Sequence, residues 1–109
     1  MKKWMSVCQQ HDLNPGAGIC ALLGDEQVAV FQCRHTQQLY AVSNFDPIGK
    51  AHVISRGIMG SVKEQAVVAS PLYKQHFNLS SGRCLQAPDC HLKTYSIRLQ
   101  GRDVQLAYG

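Results

Sequence analysis

The chain has 109 residues, 45% hydrophobic and 17% charged, with eleven basic and seven acidic side chains and a formal net charge of +4. That length predicts one domain, 1–109, with room for a modest core. The basic residues are scattered, only Lys2 and Lys3 being adjacent, so the basic stripe of a nucleic-acid binder is missing, and no apolar run approaches the 18 residues of a membrane span.

The opening stretch, MKKWMSVCQQHDL, carries two lysines but no apolar core of signal-peptide length, so the expected compartment is the cytoplasm. Five cysteines, Cys8, Cys20, Cys33, Cys84 and Cys90, are an odd number. In a reducing compartment they read as free thiols acting as small hydrophobes in or near the core. The one plausible helical turn is around HDLN. ICALLGDEQVAVFQC then gives two apolar runs joined by Gly24-Asp25-Glu26-Gln27, a hairpin with a four-residue loop. QLYAVSN follows as a third strand of that meander.

Residues 44–62, NFDPIGKAHVISRGIMGSV, do not alternate and contain Pro47 and three glycines. They read as one long irregular loop, a feature that is often functional. QAVVAS and HFNL are short strands, and GRC opens another after the Ser80-Ser81-Gly82 turn. YSIRLQGRDVQLAY closes the chain as a hairpin, with Tyr95, Ile97 and Leu99 on one side and Val104 and Leu106 after the Gly101-Arg102 turn. The sum is an all-β fold of about eight to ten short antiparallel strands, a small sandwich or partly open barrel.

Catalytic signatures are absent from the sequence. No glycine-rich strand-to-helix loop, nucleophile elbow or paired carboxylate motif is present. Cys33-Arg34-His35 and Cys8-Gln9-Gln10-His11 have the Cys-x-His and Cys-x-x-His spacings of a metal site, but such short matches arise readily by chance in a chain with five Cys and five His. The expectation is no catalytic residue and no metal on this chain.

SPLYKQHFNLSSGRC (70–84), together with YAVSNFDPIG upstream and YSIRLQGRDVQL downstream, resembles the frame of Rieske iron–sulfur domains. There, Cys-x-His on one loop and Cys-x-x-His on another clamp a cluster between two tips. Carried over by position, Asn44 stands for the first Cys, Asp46 for the first His, Ser70 for the second Cys and Tyr73 for the second His. No thiolate remains, and the 23 residues between Asp46 and Ser70 exceed the family's usual spacing. The resemblance thus implies a Rieske-like fold whose cluster is gone.

A ligand-free variant of this length, with ALLGDEQVAVF, AVSNFDP, ISRGI and VASPLYKQHFNLSSGRCL in this order, resembles the small subunits of bacterial NAD(P)H-dependent assimilatory nitrite reductases. That resemblance implies a cofactor-free, non-catalytic subunit of an enzyme converting nitrite to ammonia. Its partner would be a large subunit bearing FAD, siroheme and iron–sulfur centres. The former ligand loops would then serve as contact surface, with Phe45, Ile48, Arg56, Ile58, Met59, Tyr73 and Lys74 as interface candidates and Lys50 on the rim. The alternatives are a free-standing β-domain for interaction or regulation, or an independent Rieske-type electron carrier.

Overall fold

Residues 3–72 and 74–108 are described by the structure, a computed structural model of the chain. The fold is organised by one strand, β3 (Glu26–Gln32), in which Val28, Ala29, Val30 and Phe31 are all fully buried. Side chains alternate between the two faces of a strand, so such a run must be covered on both. Val28 and Val30 join Leu13, Ala21, Leu23, Ala41, Val104 and Leu106 in one core. Ala29 and Phe31 join Val42, Ile54, Val68, Phe77, Leu79, Cys84 and Leu92 in the other.

β3 is the centre of an antiparallel meander between β2 (Ile19–Leu23) and β4 (Leu39–Ser43). The first core is closed by β1 (Lys3–Gln9), β10 (Ile97–Gln100) and β11 (Asp103–Tyr108), in the order β1-β11-β10. β7 (Ile58–Val62), β8 (Gln65–Ala69) and β9 (His76–Asn78) form a third antiparallel sheet, with Val67, Val68 and Phe77 buried. β5 (Phe45–Asp46) and β6 (Ala51–His52) pair with each other. The all-β reading holds, as four small antiparallel sheets of eleven strands among the described residues. The helical content described is two 3₁₀ turns, Gln10–Asp12, where a helical turn was expected, and Ile54–Arg56.

Several expectations are corrected. The β2–β3 loop is two residues long, because Glu26 and Gln27 already pair with Leu23 and Leu22. Gly24, at φ +62, supplies the left-handed first position of a type II′ turn, whose twist matches the flanking strands. Residues 44–62 are not one irregular loop but hold β5, β6, the second 3₁₀ turn and β7. Only Met59 of β7 is turned partly inward, its four neighbours in the strand being exposed, so there was no alternation to read. β1 carries no clean period of two in its sequence, because a register shift falls between Ser6 and Cys8. Leu99, expected to face inward with Ile97, is 42% exposed on the edge strand β10. Of the five thiols, Cys84 is buried, Cys8, Cys33 and Cys90 are half-buried, and Cys20 is exposed.

Candidate functional site

Two turns of the same construction meet above the core. In the first, Asp46-Pro47-Ile48-Gly49-Lys50, the Lys50 N–H donates to the Asp46 carbonyl (2.7 Å). The Asp46 Oδ1 accepts from the N–H groups of Ile48 (2.8 Å) and Gly49 (3.0 Å). In the second, Ser70-Pro71-Leu72-Tyr73-Lys74, the Lys74 N–H donates to the Ser70 carbonyl (3.0 Å). The Ser70 Oγ accepts from the Leu72 N–H (3.3 Å). Aspartate and serine suit these places because a short side-chain acceptor closes its own turn.

The turns are joined by their first residues. The Ser70 hydroxyl donates to Asp46 Oδ2 at 2.5 Å, with both residues buried. This hydrogen bond spans the two tips. The Leu72 side chain lies over Gly49, where a Cβ would come within 2.5 Å of Leu72 Cδ1.

Asn44, also buried, stands apart from this pair. Its Oδ1 accepts from the Ser55 N–H (2.7 Å), and its Nδ2 donates to Gln27 Oε1 (3.0 Å). It therefore ties the base of the first tip to β3 and to the 3₁₀ turn that carries Arg56. Gly57 lets that turn approach β8, because a Cβ there would lie 2.4 Å from the Ala69 carbonyl oxygen. The segments 44–50, 54–58 and 69–72 are thus tied to one another.

The interface candidates separate by burial. Phe45, Arg56, Ile58 and Lys74 are exposed, Ile58 to 77%. Ile48 and Met59 are half-buried and pack on the core beneath the tips. Tyr73 lies outside the described residues. The sequence reading missed Leu72, 46% exposed, although its Pro-Leu pair lies within the Rieske-like frame. It also missed His52, whose ring meets Phe45 edge-on at 5.1 Å and whose only sequence signal was its place inside the 44–62 segment.

The residues at the tips do not fit a [2Fe-2S] cluster. Asn44, Asp46 and Ser70 supply no sulfur or imidazole, and Asp46 and Ser70 spend their side chains on each other and on backbone N–H groups. No group of three or more His, Cys, Asp or Glu side chains with metal-site geometry occurs among the described residues. The Cys33 and Cys8 spacings do not converge on a site. The Cys33 thiol is held below its ordinary value by the Thr36 hydroxyl and by backbone N–H groups, while burial pushes Cys8 up. No helix of the described residues is long and apolar enough to cross a membrane.

The fold and the degenerate tips define a class, and the chain belongs to the Rieske-like [2Fe-2S] domain family, whose model matches residues 3–107. Within that class it falls among the nitrite reductase small subunits. It is 43% identical over 106 residues to the nitrite reductase (NADH) small subunit of Escherichia coli K12, covering 97% of this chain and 98% of that one. The NMR structure of the E. coli protein NirD superposes with a TM-score of 0.90 at 43% identity, covering 100% of this chain and 99% of that one. A third relative is a nitrite reductase [NAD(P)H] large subunit from Klebsiella oxytoca, 33% identical over 103 residues, which are 94% of this chain and 11% of that protein.

Proposed function

We propose that this chain is a single Rieske-like unit that docks, through its paired tips, on the large subunit of a cytoplasmic NADH-dependent nitrite reductase. The reduction of nitrite to ammonia is carried by the partner's FAD, siroheme and iron–sulfur centres. The observation that carries this reading is the K. oxytoca relative, in which a segment of the same kind is part of a large subunit. A domain found within one chain and alone in another has a natural partner in the rest of that chain. The exposed Phe45, Ile58 and Leu72 beside Arg56 have the composition of an interface, apolar and aromatic anchors with an arginine.

The test is co-purification with the large subunit and NADH-dependent nitrite reduction by the reconstituted pair. Phe45→Ala, Arg56→Ala and Tyr73→Ala are expected to weaken binding by about 2 kcal/mol each, roughly thirtyfold. A control must lie away from the tips and make no contact of its own, which excludes Lys93, bonded to Glu26 at 2.9 Å and lying over the Tyr95 ring. Arg102→Ala, on the exposed β10–β11 turn, serves instead and should bind as wild type. If all three tip variants bind as wild type does, the docking face lies elsewhere.

A further inference from the structure

Charge is distributed unevenly over the molecule, and the tip face is where it separates. Of the seven acidic residues, only Asp46 lies in segments 44–60 and 70–76, and it is fully buried in its bond to Ser70. The exposed charged side chains in those segments are Lys50, Arg56 and Lys74, all cations. Among the described residues, those segments therefore expose apolar side chains, at Phe45, Ile58 and Leu72, together with three cations and no acid.

The two turn lysines also share a backbone conformation. Lys50 and Lys74 occupy equivalent places at the ends of the two turns, at φ +57 and +60. Glycine suits that left-handed backbone better than lysine does. Lys63 and Glu64 in the β7–β8 turn take the same conformation, so what sets Lys50 and Lys74 apart is their matched, exposed places at the ends of the two joined turns.

Resting on the docking reading above, we infer that the surface of the large subunit received by these tips is an apolar patch edged with carboxylates. The cations steer encounter and set orientation, and the apolar side chains hold the complex once formed. Opposed charges across an interface act mainly on the rate of association and on partner choice. Such steering weakens as added salt shortens the screening length.

The experiment measures association of the full chain with the purified, cofactor-loaded large subunit at about 0.02 M and about 0.3 M salt. The chains compared are wild type, Lys50→Glu/Arg56→Glu/Lys74→Glu, the same three changed to Gln, Arg102→Glu, and Phe45→Ala/Leu72→Ala. Circular dichroism confirms that each is folded, and the Gln set covers the case in which the Glu set is not. Wild type and Arg102→Glu should slow as salt rises. The Glu set should associate at least about tenfold more slowly at low salt, with the Gln set between; the Gln set should lose most of the salt dependence and the Glu set should speed up as salt rises, since screening then relieves repulsion. Phe45→Ala/Leu72→Ala should dissociate faster with its salt dependence intact. If the Glu and Gln sets associate as wild type does while Phe45→Ala/Leu72→Ala fails to hold, the basic rim is refuted and tip docking stands. If every variant behaves as wild type, both are refuted.

Discussion

A fully buried carboxylate must be met by donors, and Asp46 is met by the Ile48 and Gly49 N–H groups and the Ser70 hydroxyl. Leaving a buried polar group without its partner costs more than the bond itself contributes. Asp46→Ala strands the Ser70 hydroxyl and two backbone N–H groups, and is expected to cost about 3 kcal/mol of stability. Ser70→Ala leaves the carboxylate its two backbone donors and should cost about 1 kcal/mol. Because the residues share one bond, Asp46→Ala/Ser70→Ala should cost clearly less than the sum of the single changes. Urea unfolding of the four chains measures this cycle. Additivity to within about 0.3 kcal/mol would show that the side chains do not couple and that the tips are held together by other contacts.

At the scale of elements, the two turns repeat one pattern, and the repeat bears on where the cluster frame lies. The sequence reading set it by the spacing of Asn44 and Asp46 against Ser70 and Tyr73. In the fold, Asp46 stands opposite Ser70, each residue opening a Pro-containing turn, while Asn44 faces β3 and the 3₁₀ turn. We therefore place the Cys-x-His frame two residues later, on Asp46-Pro47-Ile48, against Ser70-Pro71-Leu72-Tyr73. The variant Asp46→Cys/Ile48→His/Ser70→Cys/Tyr73→His should take up more iron and acid-labile sulfide on anaerobic reconstitution than Asn44→Cys/Asp46→His/Ser70→Cys/Tyr73→His. Reversed loading would return the frame to Asn44, and equal loading would refute the preference for Asp46. What was legible in the sequence follows from the same physics. β2, β3, β4, β8 and β11 bury alternating or continuous apolar runs, and those runs were visible. β1 is bulged, β7 is nearly all exposed, and β5 and β6 have two residues each, too few for any period to be read. The loss of cluster ligands was legible because it depends on residue type alone. The Asp46–Ser70 contact was not, because it joins side chains 24 positions apart.

For the whole molecule, the arrangement of β1 and β11 decides how the chain can be joined to another. Lys3 and Tyr108 are ladder partners, so chain entering the sheet and chain leaving it do so at one place, on strands that take no part in either tip. A domain built this way can sit within a longer polypeptide with its tips still presented, in keeping with the K. oxytoca large subunit. A covalent tether changes docking from a bimolecular step to an internal one, at an effective concentration of about a millimolar for a short flexible linker. If the cations at Lys50, Arg56 and Lys74 act only in docking, a tether should mask their loss. The Glu set is therefore expected to depress NADH-dependent nitrite reduction strongly when mixed as a separate chain at about micromolar concentration. Joined to the large subunit by a flexible linker, it should recover most of the activity of the tethered wild type. Steady-state rates for the four combinations, mixed or tethered, with and without the substitutions, measure this. A tethered Glu set that is folded but as inactive as the mixed one would show that these side chains do more than bring the subunits together, and would move their role from docking to the working of the assembled enzyme.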